Sequence, residues 1–413
     1  PAFAEAFYSQ IPLIVISADR PQSKIDIGDG QTIRQENVFK NHSLYNANLT
    51  EEASVENDLK INKAINKAFV KKGPVHINAP FEEPLYQTVS KLDVDVTISA
   101  FAKECKKISI DEIIEFTNIW NASKKKLILV GENNPNEIDV EIIELLAKED
   151  SVVVMTETTS NLHHPSFLNN IDTIITPFSH EEFKDFQPDI LVTFGGMVVS
   201  KRIKAFLRKY QPTHHWHIDT LRAYDTYGCL TQHFKVNPNQ FFNQFLPFTI
   251  PSKSNYYSTY EKVAVLRKRK HQDYLKSIPF SDFKAFEKII PSLPEDCMLH
   301  LSNSSAIRYA QLFDIKPSIT VFCNRGTSGI DGSTSTAIGA AVADEKPTVL
   351  IAGDIGFLYD SNALWNEYIP KNFKIILINN GGGGIFRILP GHEETPVFNK
   401  FFETSHCFTA EQL

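Results

Sequence analysis

Cysteine is scarce. Five residues, Cys105, Cys229, Cys297, Cys323 and Cys407, stand far apart and never in a CxxC pair. That spacing argues against a disulfide framework or a zinc site and fits a reducing cytoplasm. No run of about 18 apolar residues occurs, so no membrane-spanning helix is expected. The start lacks the basic-then-apolar pattern of a signal segment. Positive charge is also short: the formal net charge is −7, which repels nucleic acid and anionic membrane surfaces. It equally repels anionic small molecules, so an anionic substrate would need a local cluster of Arg or Lys. An initiator Met is missing. A helical pattern over 1–8 runs straight into a strand pattern over 12–17, as in the interior of a domain, and the end at Glu411-Gln412-Leu413 is as abrupt. Truncated first and last domains are therefore expected.

What is present is ordinary core material. Apolar residues make up 42% and charged residues 22% of 413, enough for several cores in two to four domains. Short β-branched runs read as buried parallel strands: Leu13-Ile14-Val15-Ile16, Val75-His76-Ile77-Asn78, Leu127-Ile128-Leu129-Val130, Val152-Val153-Val154, Ile190-Leu191-Val192-Thr193, Thr348-Val349-Leu350-Ile351 and Ile375-Ile376-Leu377-Ile378. Amphipathic stretches alternate with them. Ser109 and Glu112 form a capping box, and Asn136 is placed to cap a helix carrying Ile142, Ile143 and Leu146. The alternation predicts an α/β protein of doubly wound parallel sheets. Breaks near 78–100, around Pro80-Phe81-Glu82-Glu83-Pro84, and near 248–279 divide it into units at about 1–95, 96–250 and 280–413.

Chemistry concentrates in the last unit. Gly353-Asp354 ends one apolar run and Asn379-Asn380 ends the next, with Asn380 26 residues after Asp354. In a parallel sheet both lie at carboxyl ends of strands, where α/β folds bind ligands. A carboxylate, an amide oxygen and a backbone carbonyl suit a hard cation such as Mg²⁺, which is commonly shared with phosphates. The run Gly381-Gly382-Gly383-Gly384 offers backbone that can approach a diphosphate, and a helix starting near Ile385 or Phe386 would add N–H dipoles.

The Gly-Asp…Asn-Asn combination resembles the diphosphate-binding motif of the thiamine-diphosphate-dependent enzymes. Asn324-Arg325-Gly326-Thr327-Ser328-Gly329-Ile330-Asp331-Gly332, Phe357-Leu358-Tyr359-Asp360-Ser361-Asn362-Ala363-Leu364 and Gly384-Ile385-Phe386-Arg387-Ile388-Leu389-Pro390 are similar to the menaquinone-biosynthesis branch of that family. So are Ala18-Asp19-Arg20-Pro21 and Gln31-Thr32-Ile33-Arg34-Gln35. The similarity is collinear, tight at both ends and loose in the middle. It implies three domains of the thiamine-diphosphate-enzyme type: the C-terminal part of a pyrimidine-binding domain (1–95), a central α/β domain (96–250) and a diphosphate- and magnesium-binding domain (280–413).

The resemblance also assigns residues. Mg²⁺ or Mn²⁺ would be held by Asp354, Asn380 and Gly382. Thiamine diphosphate would rest on Gly329, Ile330, Gly353, Asp354, Asn380, Gly382 and Ile385, with Ile330 propping it in a bent shape. The implied reaction is decarboxylation of 2-oxoglutarate and addition of the resulting succinyl carbanion equivalent to isochorismate. Both are anionic, and the implied contacts are Gln31, Lys201, Arg202, Ser304, Arg308 and Arg325, with Phe386 and Leu389 as an apolar wall beside Ile385. Arg suits carboxylates because its planar fork binds both oxygens. The activating Glu of the family is expected upstream of Pro1. A homodimer or homotetramer is implied, because the family builds its site between subunits.

Taken singly, the residues have plainer readings. Arg308 fits a solvated helix face, Lys201-Arg202 the start of a surface helix, Ser304 an N-cap, and Ile385, Phe386 and Leu389 a core. His163-His164 and His214-His215-His217 are read as strand-end or surface residues and His76 as a hydrogen-bonded core residue. Two other functions fit the same motifs: an acetolactate-synthase-like carboligase or decarboxylase, and a non-catalytic protein retaining the fold.

Overall fold

The computed structural model describes residues 1–83, 86, 88, 90–91, 95–98, 107–388 and 391–411. Its strands form three sheets, every pairing parallel. The first has the order β1-β3-β2, with β1 Leu13–Asp19, β2 Asn46–Asn48 and β3 Pro74–Pro80. The second has the order β5-β4-β6-β7-β8, with β4 Lys126–Val130, β5 Val152–Thr156, β6 Ile190–Phe194, β7 His214–Ile218 and β8 Gln232–Phe234. The third has the order β10-β9-β11-β12, with β9 Met298–Leu301, β10 Thr320–Phe322, β11 Thr348–Gly353 and β12 Phe373–Ile378. The chain is thus an α/β protein of three parallel sheets. By its contacts it divides into two units, Pro1–Cys105 with Gly326–Ser328, and Lys106–Arg325 with Gly329–Leu413.

In the first unit the helix Val55–Val70, capped by Ser54, closes over Ala47, Val75 and Ile77 through Ala64 and Ala68. Ile16 stays 71% exposed. His76 is buried, with its Nε2 3.0 Å from the Ser17 hydroxyl, which is the hydrogen-bonded core role expected of it. Glu5 accepts hydrogen bonds from the Gly326 N–H (2.6 Å), the Thr327 N–H (2.7 Å) and the Thr327 hydroxyl (2.8 Å). A Cβ at Gly326 would lie 2.5 Å from the Glu5 carbonyl oxygen, so this approach requires glycine.

In the second unit, alternation along β4 feeds two cores. Ile128 and Val130 face Trp120, Trp216 and Phe241, while Leu127 and Leu129 face Ile203, Phe206 and Tyr260. Ser109 and Glu112 cap the helix Ile110–Ala122 as a capping box. The next helix, Val140–Ala147, begins later than expected: Asp139 holds the position before it, while Asn136 adopts a left-handed turn (φ 56°). His215 and His217 lie inside β7 and not at a strand end. The Thr193 hydroxyl sits 2.9 Å from His215 Nε2 and 2.8 Å from His217 Nδ1. Burial lowers both imidazoles to about 4.

The crevice where the second sheet reverses strand order is sealed. The Gly131 N–H donates to Phe194 O (2.9 Å) and the Gly196 N–H to Glu132 O (2.6 Å). A Cβ at Gly131 would lie 2.1 Å from the Gly196 carbonyl oxygen. The usual nucleotide crevice of a doubly wound sheet is here filled by its own backbone.

The β10 edge of the third sheet is hydrogen-bonded by one side chain. Asn161, in a left-handed conformation (φ 45°), accepts from the Val321 N–H (2.8 Å) and donates to the carbonyls of Val321 (2.9 Å) and Asn133 (2.9 Å). It stands in for a neighbouring strand beside β10. Asn161→Ala strips both Val321 groups of their partner. A loss of about 1–3 kcal/mol is expected in urea unfolding monitored by circular dichroism.

Candidate active site

The order β10-β9-β11-β12 reverses direction between β9 and β11. All four strands run parallel, so their carboxyl ends share one edge. Following those ends are Ser302-Asn303-Ser304 after β9, Cys323-Asn324-Arg325 after β10, Gly353-Asp354 in β11 and just beyond it, and Asn379-Asn380 after β12. Gly353 is register partner to Ile378, which sets Asp354 and Asn379 side by side one residue further.

Asp354 is 4% exposed and opens the helix Asp354–Tyr359. Its Oδ1 accepts from the Ile355 N–H (2.7 Å), and its Oδ2 from the N–H groups of Gly381 (2.8 Å) and Gly382 (3.0 Å). His406 Nε2 lies 3.3 Å from the same Oδ2. Asn380 donates its amide to Asp282 Oδ2 at 2.7 Å. Asp354 thus meets the glycine run through N–H groups, while the Asn380 side chain is engaged by Asp282.

The run itself is tightly held. The Gly383 N–H donates to Glu403 O (2.6 Å) and the Gly384 N–H to Gly382 O (3.0 Å). Gly382 has φ 156°, and a Cβ there would lie 2.9 Å from Glu403 O. The helix expected at Ile385 is a single 3-10 turn, Gly384–Ile388. Ile385 and Phe386 are half-buried there, and Leu389 falls outside the described residues. Gly356 brings Ile330 close to Asp354's helix, since a Cβ at Gly356 would lie 3.1 Å from the Ile330 carbonyl oxygen.

The cationic side is built on two carboxylates that the sequence pattern did not single out, one buried and one half-buried. Glu157 is buried and accepts from the N–H groups of Val199 (2.6 Å) and Ser200 (2.7 Å). Asp172 accepts from the Ser200 hydroxyl. Ser200 in turn caps the helix Lys201–Lys209 through the Ile203 N–H at 3.0 Å. Burial raises both carboxyls above the usual range, opposed at Glu157 by the N–H groups of Val199 and Ser200, and at Asp172 by the Ser200 hydroxyl and the charges of Arg308 and Arg202.

Lys201 and Arg202 open that helix with exposed side chains. Arg308 ends the short helix Ser305–Ala310 and makes no ion pair within 4.0 Å among the described residues. Burial lowers its pKa, and the neighbouring charge of Arg325 acts in the same direction. Burial likewise lowers Lys204, a cation missed by the sequence pattern, with Glu157 opposing and Arg325, Arg208 and Arg308 reinforcing. Lys204, Arg308 and Arg325 thus share one positive field.

Ser304 is not a side-chain N-cap: it makes no cap hydrogen bond and holds φ 72°, ψ −126°, a conformation rare for a residue other than glycine. Gln31 belongs to the first unit, is exposed, and accepts from Arg20 Nη2 at 3.0 Å. Gly382→Ala is expected to cost about 1–3 kcal/mol through backbone strain and displacement of Glu403. Thermal unfolding compared with Gly391→Ala, whose Cβ meets nothing within 4 Å, separates the clash from the conformational cost.

Two family models match the chain. One is described as the middle domain of thiamine pyrophosphate enzymes, over residues 104–272. The other is the thiamine pyrophosphate enzyme C-terminal TPP-binding domain, over residues 304–408. A protein of Flavobacterium johnsoniae is 69% identical over 414 residues, covering 100% of this chain and 75% of its own length. One of Flavobacterium psychrophilum is 66% identical with the same coverage, and one of Christiangramia forsetii is 50% identical, with 100% and 76% covered. All three are named 2-succinyl-5-enolpyruvyl-6-hydroxy-3-cyclohexene-1-carboxylate synthase. With its motifs gathered on one sheet edge and its whole length aligned to these relatives, the chain belongs to the 2-succinyl-5-enolpyruvyl-6-hydroxy-3-cyclohexene-1-carboxylate synthases, a family of thiamine-pyrophosphate-dependent enzymes.

Proposed function

We propose that this chain acts in menaquinone biosynthesis, decarboxylating 2-oxoglutarate and joining the succinyl unit to isochorismate. The observation that supports this reading is the placement of Ser304, Arg325, Asp354 and Asn380 just beyond the carboxyl ends of four neighbouring strands of one parallel sheet, with Arg308 on the helix that follows the first of them. We further propose that residues 280–413 form the diphosphate- and metal-binding domain, 96–250 the central domain and 1–95 part of the pyrimidine-binding domain.

The donor chemistry fits the cofactor. Asp354, the Asn380 amide oxygen and the Gly382 carbonyl are hard oxygen donors on neighbouring strand tips, the type that Mg²⁺ or Mn²⁺ takes. To hold the ion, Asp354 Oδ2 would give up the N–H groups of Gly381 and Gly382 that it now accepts from. Gly329, Ile330, Gly353 and Ile385 line the place where the cofactor would lie. Thiamine diphosphate supplies, when bound, the electron sink for decarboxylation and carbon–carbon bond formation.

The chain's own work is recognition and exclusion of water. Arg325, Arg308 and Ser304 bind carboxylates, with Lys201 and Arg202 from the central domain, and Gln31 is assigned a polar contact by the family resemblance alone. Arg308 and Lys204 are cations already stripped of much of their water, so an incoming dianion meets a field little screened by solvent. Ile385 and Phe386 are the proposed apolar wall, to which the family resemblance adds Leu389. This charge pattern favours dianionic substrates over the pyruvate of an acetolactate-synthase-like enzyme. A cytoplasmic homodimer or homotetramer completes the reading. Scattered cysteines support the reducing compartment, and the oligomer rests on the family resemblance.

In isothermal titration of the full-length protein, Mg²⁺-dependent binding of thiamine diphosphate is expected, with at least about a tenfold loss in Asp354→Ala. Unchanged binding in that variant would refute the metal assignment. Arg308→Ala is expected to raise KM for 2-oxoglutarate about ten- to a hundredfold, the cost of one charge-assisted hydrogen bond. Product formation from pyruvate alone, with none from 2-oxoglutarate plus isochorismate, would favour the acetolactate-type reading.

A further inference from the structure

Asn303 follows the tip of β9 and is 4% exposed. Its side-chain amide has two N–H donors and one oxygen with two acceptor sites, and all four are used. Nδ2 donates to the carbonyls of Asn324 (2.7 Å) and Gly329 (2.7 Å). Oδ1 accepts from Arg325 Nη1 (2.5 Å) and from the Cys323 thiol (3.4 Å). Every partner lies in one segment, 323–329, which carries Arg325 and leads directly into Ile330. The preceding Ser302 hydroxyl accepts from the Gly353 N–H (3.3 Å), next to Asp354. The following Ser304 carries the unusual φ of 72° that turns the chain into Arg308's helix. One buried amide therefore stands between the strand tips bearing the proposed substrate and cofactor contacts.

We infer that Asn303 is the positioning residue that orients the Arg325 guanidinium toward substrate and fixes the 324–329 segment ahead of Ile330. This rests on the proposed role of Arg325 as a carboxylate-binding residue. The chemistry requires an amide specifically. An Asp in the same place keeps the shape but offers only acceptors, so two lone-pair-bearing carbonyls at 2.7 Å would face a carboxylate. Its charge would also pair with Arg325 and compete with the substrate carboxylate. Alanine leaves the Asn324 and Gly329 carbonyls without donors. The position thus sets how much of Arg325's charge remains available to a ligand, a role distinct from filling space.

The test measures KM for 2-oxoglutarate, kcat and the thermal midpoint in the full-length enzyme for Asn303→Asp, Arg325→Ala and the double variant. The expected result is a rise in KM of about tenfold or more in Asn303→Asp, a smaller change in kcat, and no further rise when it is added to Arg325→Ala. A lowered midpoint with unchanged KM in Asn303→Asp, while Arg325→Ala raises KM, would overturn the inference and leave the substrate assignment intact. An unchanged KM in Arg325→Ala would overturn the substrate assignment and the inference with it. Should Asn303→Asp not fold, Asn303→Ser, which keeps one donor and an acceptor, is judged by the same KM criterion.

Discussion

A parallel sheet imposes a polarity that no single residue carries. Every strand delivers its carboxyl end to the same edge, and where the strand order reverses, the crossovers leave that edge in opposite directions and open a crevice. In the third sheet this happens between β9 and β11. Residues separated by as much as 77 positions, Asn303 and Asn380, are delivered to a common edge by backbone pairing alone. The rest of the site elaborates that constraint: glycines where chains must approach, short turns in place of helices, and one amide tying two tips together.

The same topology occurs in the second sheet without the same consequence. There the reversal lies between β4 and β6, and Gly131 and Gly196 close the crevice by direct backbone contact. The second sheet instead supports the third. Asn161 covers the edge of β10, while Glu157 and Asp172 hold the start of the helix bearing Lys201, Arg202 and Lys204. Withdrawing Glu157 wholly and Asp172 partly from water is costly without partners. Here backbone N–H groups, the Ser200 hydroxyl and the field of Arg202, Arg308 and Lys204 compensate. A negatively charged protein thereby sustains a local concentration of cations suited to a dianion.

Much of this is legible in the sequence, for a physical reason. Buried parallel strands read as short apolar runs, and a polar residue immediately after such a run stands at a strand tip. That rule finds Asp354 and Asn380. The family resemblance adds Arg325, Arg308 and Ser304. It does not find Asn303, whose partners lie 20 to 26 residues away and meet it only once β9 and β10 are paired. Nor does it find Asn161, which acts on a backbone 160 residues distant. The helix expected at Ile385 fails because the glycines before it are held by Asp354 and Glu403, leaving a single turn. Asn136 misleads as a cap because its side-chain type suits a left-handed turn equally well.

The central claim is that the tips of β11 and β12 grip a divalent ion. The most direct measurement is a crystal structure of the full-length protein with thiamine diphosphate and Mn²⁺, locating the ion by anomalous scattering. The account predicts a peak at about 2.1 Å from oxygens of Asp354 and Asn380, with Asp354 released from the N–H groups of Gly381 and Gly382. An ion bound elsewhere, with Asp354 still accepting from those two N–H groups, would contradict it.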